Sequence, residues 1–282
     1  MAVIGLAVAF AALYSDVMLG LASDWATDDD FTHGFFVVPL ALYFAWERRS
    51  RLTTALHHPS FVGLGVIVAS VGLLLAGVLG AELFVSRISM IGVLAGTILF
   101  VWGWEHLRTL AFPLTFLVLM IPLPAIVLNE IVLPLQFVAS SLGEQILDAI
   151  RIPALREGNV IVLANATLQV AEACSGIRSL ITLLTAGVVL GYFMDSRAGV
   201  RLLLVMATIP IAILTNGLRV AGTGVVAYYY GPLAADRFFH GFSGWVVFLV
   251  AVFVLCALQL TVAWLARMAR RPAANSASVN AG

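Results

Sequence analysis

The chain of 282 residues contains no lysine; all fifteen of its cationic side chains are arginine. That absence excludes Schiff-base chemistry and Ser–Lys dyads, which need an amine able to lose its proton. Cysteine is nearly as scarce. Cys174 and Cys256 are the only two, and neither belongs to a CxxC pair, so disulfide frameworks and metal ribbons find no support. Charged residues make up 11% of the chain, against roughly 25% in soluble domains. Fifteen acidic residues balance the arginines, and a net charge of zero leaves no basic excess for a nucleic-acid partner. What is abundant is apolar. With 62% apolar residues and a mean hydropathy of +1.05, the chain cannot hide its surface in a water-soluble fold, so lipid is the solvent for much of it.

A membrane span needs roughly 20 mainly apolar residues. Runs 2–22, 34–46, 61–80, 88–104, 109–128, 176–194, 202–222 and 243–266 meet or approach that length, predicting an all-α polytopic membrane protein with about eight transmembrane helices. The first run lacks a basic leader and a small-residue cleavage site, so it reads as a retained span. The second is short and leans on Trp25 and Trp46 as interface anchors. In an eight-span arrangement Arg48, Arg49, Arg51, Arg108, Arg197, Arg201, Arg267, Arg270 and Arg271 fall on one side. The positive-inside rule makes that side, and both termini, cytoplasmic. The other six, Arg87, Arg151, Arg156, Arg178, Arg219 and Arg237, lie in or beside outer connections. The chain reads as one transmembrane domain over 1–272. A polar cytoplasmic tail, 273–282, is too poor in apolar residues to order itself.

The outer side carries the unusual polar residues. Its first loop, 23–33, holds Asp24, Asp28, Asp29, Asp30 and His33. The connection 129–173 begins with an amphipathic stretch through Glu130, Gln136, Glu144, Gln145 and Asp148, which reads as a small extracytoplasmic helix lying in the interface. Val160–Leu163 and Thr167–Val170 flank Asn165-Ala166 and read as a small hairpin before the sixth span.

Three residues at helix ends on that side could carry chemistry. Cys174 falls where the hairpin ends and the sixth span begins. A thiol at a helix N-terminus feels the positive end of the backbone dipole, which favours thiolate. Ser175 permits a tight entry into the helix, Arg178 adds positive charge one turn in, and Glu172 lies just before. Cys256, midway along the last span, reads as an ordinary small apolar residue. Arg219 stands near the outer end of the seventh span, where an arginine either snorkels to the boundary or faces a polar cavity. Asn216, three residues earlier on the same face, favours the cavity. His240 closes the outer loop before the last span, and imidazole is the natural proton acceptor for a cysteine nucleophile.

At these residues the chain resembles the exosortase/archaeosortase family of membrane-embedded cysteine transpeptidases. Glu172-Ala173-Cys174-Ser175-Gly176-Ile177-Arg178-Ser179 looks like the family's cysteine signature, and Asn216-Gly217-Leu218-Arg219-Val220 like its arginine motif. His240-Gly241 falls where bacterial members carry their histidine, and Thr32-His33-Gly34-Phe35 through Pro39, Tyr43 and Trp46 is similar to the N-terminal pattern. The resemblance implies a bacterial inner-membrane enzyme whose catalytic residues are Cys174, Arg219 and His240. Glu172, Ser175, Arg178, Asn216 and His33 would support them at the periplasmic face. It implies substrates that are exported proteins ending in a Pro-Glu-Pro-type motif, a hydrophobic helix and a basic tail, cleaved at the motif and passed to an acceptor. Such enzymes often accompany exopolysaccharide genes. No cofactor, metal or nucleic acid is implied, and membrane lipid is a further partner. Two rival readings remain. Gly241-Phe242-Ser243-Gly244 matches the GxSG of an intramembrane serine protease, and a polytopic chain can be a transporter.

Overall fold

The structure is a computed structural model that describes residues 2–28, 30–169, 177–194, 197–238 and 244–269. Backbone polar groups in lipid must be satisfied within their own segment, and the chain answers with helices. Among the described residues, five are long and apolar enough to cross a membrane: Phe61–Leu79, Leu83–Val101, Ala125–Ala149, Ala198–Tyr230 and Gly244–Leu265. The pair Ile4–Leu13 and Ser15–Thr27, bent by 65°, has the length and composition of a sixth span only when its two helices are counted together. Gly34–Glu47 and Ser179–Met194 are apolar but shorter. The protein is therefore an all-α polytopic membrane protein. The chain divides into two compact units, Met1–Asn129 and Glu130–Gly282.

In the first unit, α1 (Ala2–Leu13) and α2 (Ser15–Thr27) meet at Tyr14, which is fully buried with its hydroxyl 3.0 Å from Ser89 Oγ. Ser15 Oγ donates back to the Ala12 carbonyl at the bend, a local bond that competes with the helical ladder. Next come α3 (Gly34–Glu47), α4 (Arg49–Thr54), α5 (Phe61–Leu79), α6 (Leu83–Val101) and α7 (Trp104–Phe116). Helices α5 and α6 form a tight antiparallel pair because small residues recur every seventh position. Gly63, Ser70 and Gly77 of α5 are buried, and Gly63 packs directly on the Phe100 backbone. Phe44 of α3 is buried edge-on against Phe112 and Phe116 of α7. Arg87, expected beside an outer connection, sits in the second turn of α6. It is 4% exposed and paired with Asp24 at 2.6 Å.

The expected span 109–128 is not one helix. After α7 the chain tightens into a 3₁₀ turn, Leu117–Met120, leaves it at Ile121, and restarts as α8 (Ala125–Ala149). Pro122 and Pro124 explain the break, since neither offers an N–H to continue the ladder. The amphipathic stretch read as a short interfacial helix is the body of this 25-residue α8.

In the second unit α8 is followed by a three-stranded antiparallel sheet, β1 (Ala154–Glu157), β2 (Val160–Leu163) and β3 (Thr167–Gln169), in that order. The Asn165-Ala166 hairpin joins β2 to β3 as expected, and β1 adds a strand. Gly158-Asn159 links β1 to β2 in two residues, with Gly158 at φ +68 and Asn159 at negative φ, the II′ geometry that wants glycine first. The polar face of α8 seats this sheet. Ser140 Oγ donates to the Gly158 carbonyl at 3.1 Å, and Gln136 Oε1 accepts from Asn159 Nδ2 at 3.0 Å. Glu144 takes the Arg156 N–H at 3.0 Å and Arg156 Nε at 3.3 Å.

The remaining elements are α9 (Ile177–Met194), α10 (Ala198–Tyr230), α11 (Pro232–Phe238) and α12 (Gly244–Ala269). At about 1.5 Å per residue α10 is about 50 Å long, well beyond a hydrocarbon core of about 30 Å. Two cores follow. Leu183, Leu204, Ile211, Ala212, Ala251 and Leu255 join α9, α10 and α12. Ala139, Leu147, Ile161, Leu163, Val220 and Ala227 join α8, the sheet and the far half of α10.

Candidate functional site

Helices α9, α10 and α12 of the second unit define a common level at one end. Gly187 of α9 lies opposite Thr208 of α10 and Leu255 of α12, and Gly191 lies opposite Arg201, so α9 and α10 run antiparallel. From the Gly187 layer, Ile177 is ten residues away along α9, Arg219 eleven along α10, and Gly244 eleven along α12. At about 1.5 Å per residue each step covers about 15–17 Å. The first turn of α9, Arg219 and the first residue of α12 therefore share one level. The side chains agree: a Cβ placed on Gly244 would stand 3.9 Å from Arg219 Nη2.

Arg219 is half-buried and lies about 30 Å along α10 from Ala198, a distance comparable to the thickness of a hydrocarbon core. Asn216, one turn earlier, is 3% exposed. Both residues take part in further contacts. Around them α10 is lined with small and hydroxylated residues. Thr215 and Thr223 turn their hydroxyls onto the Ile211 and Arg219 carbonyls, at 2.8 Å and 3.0 Å, which satisfies those polar groups within the helix. Gly217 and Gly224 let Leu142 and Leu147 of α8 sit directly on the backbone.

The sheet stands on this end of α10. Asn165 Nδ2 donates to the Tyr228 carbonyl at 2.8 Å, where the last turn of the helix exposes acceptors that lack an intrahelical donor. Leu168 of β3 packs on the cluster that includes Val220 and Ala221. The strand that leads toward Cys174 thus lies on the same helix as Arg219.

Cys174, Glu172, Ser175, His240 and Ser243 lie outside the described residues. Arg178 is the second residue of α9. Arg219 and Asn216 come together on α10. His33 belongs to the first unit, 8% exposed at the start of α3, with Nε2 3.0 Å from the Leu119 carbonyl oxygen. A carbonyl only accepts, so Nε2 carries the proton and Nδ1 alone remains for acid–base work. Burial pushes this imidazole below its ordinary range, opposed by its bond to the Leu119 carbonyl. Trp25 Nε1 donates to the next carbonyl, Met120, at 3.0 Å. Those two carbonyls are the ones the Pro122-to-Pro124 break deprives of helical donors, and Trp25 and His33 replace them. Sequence reasoning gave no sign of this pairing. Among the described residues no three His, Cys, Asp or Glu side chains gather as metal ligands.

No curated protein and no solved structure matches the chain. Residues 25–257 match the transmembrane exosortase family, a stretch that takes in all five full-length spans in whole or in large part and carries both Arg219 and the Cys174 segment. The chain belongs to the transmembrane exosortase family.

Proposed function

We propose that the protein is a membrane-embedded cysteine transpeptidase whose site forms where the α9 start, Arg219 and the α12 start share one level. That shared level is the observation that carries the reading. Cys174 is three residues before Ile177 and His240 four before Gly244. Chain reach limits each to about 10–14 Å from those helix starts, which bracket Arg219.

The chemistry balances on these groups. The Cys174 thiolate attacks the carbonyl carbon of the scissile peptide; the C–N bond breaks, leaving a thioester on Sγ, and His240 gives its proton to the departing amine. An acceptor amine then attacks the thioester, the C–S bond breaks to release the thiolate, and His240 takes the proton the amine loses. Arg219 holds the developing oxyanion, or grips a substrate carboxylate through its planar fork, with Asn216 beside it on the same face. Ser175 and Arg178 favour the thiolate at the helix N-terminus, and Glu172 supports that segment. His33, through Nδ1, is the weakest candidate for a place in the site because Nε2 is committed to Leu119.

The substrates on this reading are exported proteins carrying a Pro-Glu-Pro-type motif, a hydrophobic helix and a basic tail. On this reading the arginine-rich connections mark the cytoplasmic side, which puts both termini there and the site at the opposite face, and the family resemblance implies the inner membrane. The test is processing of a reporter with such a signal in membranes that contain the wild-type chain, Cys174→Ala or Cys256→Ala. Loss of cleavage with Cys174→Ala alone, at equal insertion, is expected. Cleavage by Cys174→Ala would overturn the nucleophile assignment.

A further inference from the structure

The three-stranded sheet has two edges, and the chain treats them differently. In a two-residue hairpin the closing pair is hydrogen-bonded, so Glu157 pairs with Val160 through both N–H and C=O, and Leu155 with Val162. Residues 161 and 163 of β2 then face β3, in agreement with the Leu163 N–H bond to the Ala166 carbonyl at 2.8 Å. Parity carries across both strands. On β1 the outward residues are Ala154 and Arg156; on β3 they are Thr167 and Gln169.

The β1 edge is closed. Glu144 of α8 accepts the outward Arg156 N–H at 3.0 Å, and a carboxylate there blocks any further strand. The β3 edge has no such cover among the described residues. Thr167 is exposed, and its main-chain groups point away from β2. Exposed edges are usually blunted by charge, proline or a covering element, and among the described residues the blunting falls on the β1 edge. The open strand is the one that runs on to Cys174, five residues beyond Gln169, at most about 18 Å of chain.

We propose that the outer edge of β3 is the substrate's docking strand: the extended segment before the substrate's hydrophobic helix pairs with the N–H and C=O groups of Thr167 and Gln169. This rests on the transpeptidase reading and specifies how that site takes its substrate. Main-chain pairing supplies affinity without demanding a particular side chain, and it aligns the scissile peptide along a strand leading to the nucleophile. Two prolines spaced i and i+2 suit such a strand. Both lack an N–H on the same side, which can face solvent, while the residue between them turns its N–H and C=O to β3.

The test uses the full-length Cys174→Ala chain in nanodiscs and fluorescent peptides made of a Pro-Glu-Pro segment, an apolar helix and a basic tail. Binding is read by anisotropy, so it does not depend on turnover. N-methylating the Glu between the prolines is expected to weaken binding about fivefold or more, and N-methylating the residue just before the motif, whose N–H lies on the same side, to do likewise. Methylation at residues of the opposite parity should change it less than about twofold. Thr167→Pro, which removes an outward N–H and leaves the β2 ladder intact, should weaken every peptide alike. A flat N-methyl scan, full affinity with Thr167→Pro, or no binding overturns the docking strand. Cleavage of the unmodified peptide by the wild-type chain, measured in parallel, reports separately on the cysteine reading.

Discussion

Replacing Glu144 tests whether the sheet is held by a carboxylate bonded to a backbone N–H or by an ordinary ion pair. Glu144 accepts two bonds from Arg156, one from its backbone N–H at 3.0 Å and one from Nε at 3.3 Å, with the two side chains 25% and 32% exposed. A hydrogen bond to a charged acceptor contributes about 1.5–3 kcal/mol. The ion pair, about a third exposed, contributes no more than about 0.5 kcal/mol after screening. Alanine returns about 0.3 kcal/mol through helix propensity. Glu144→Ala should therefore destabilise by about 2 kcal/mol, and Glu144→Gln, which keeps a neutral acceptor for the N–H, by about 1 kcal/mol. Arg156→Met keeps the backbone bond and should cost about 1 kcal/mol or less. Equilibrium unfolding of the detergent-solubilised chain, arranged as a double-mutant cycle, separates the terms. Hydrogen exchange at the Arg156 amide gives the local readout, expected to speed in Glu144→Ala and not in Arg156→Met. If Glu144→Ala is neutral, or its whole effect vanishes in the Arg156→Met background, the backbone bond does not hold the sheet.

Other changes have equally definite outcomes. His33 is kept below its ordinary range by burial, so the unfolded chain binds more protons than the folded one just below the unperturbed value of about 6.5. Its contribution is thus complete above about pH 6.5 and is lost as pH falls toward the lower folded value. His33→Gln keeps an N–H for Leu119 and should flatten the melting temperature between about pH 7.5 and about pH 5; an unchanged slope would contradict the assignment. Gly63→Ala drives a methyl into the Phe100 backbone and should cost about 3 kcal/mol or prevent the α5–α6 pair, whereas Gly65→Ala meets nothing within 4 Å and should add up to about 1 kcal/mol. Arg151, two residues past the end of α8, stands at φ +62, and Arg151→Gly should raise stability by about 0.5–1 kcal/mol in the same unfolding assay.

Much of the fold was legible because lipid simplifies the code. Apolar runs of sufficient length gave α5, α6, α10 and α12 close to their observed places, and Asn165-Ala166 between β-branched runs gave the β2–β3 hairpin. Two elements were hidden by ambiguity in the same signals. Gln136, Ser140 and Glu144 recur at the helical interval i, i+4, i+8. A polar face of that kind reads as one turned to water, but here it is turned to a sheet whose turn supplies the partners. The run 109–128 was long enough to span, and hydropathy is blind to the N–H groups missing at Pro122 and Pro124. Strand β1 could have been found from Gly158-Asn159, a two-residue II′ turn, but Leu155-Arg156-Glu157 carries too little apolar alternation to announce a strand. At the site, Arg219 and Asn216 stood out because polar residues are rare in such a helix. The open β3 edge left no trace in composition, since it arises from pairing parity and from Glu144 closing the opposite side.

The most direct measurement is a search for the covalent intermediate. The wild-type chain is mixed with a signal peptide, quenched in acid within a turnover and digested, and the fragment containing Cys174 is weighed by mass spectrometry. An adduct on Cys174 equal in mass to the acyl part of the substrate is expected, released by neutral hydroxylamine as a thioester is, and absent from Cys174→Ala. Cleavage that proceeds with Cys174 unmodified, or an adduct found on Ser243 or Cys256 instead, would contradict the cysteine mechanism.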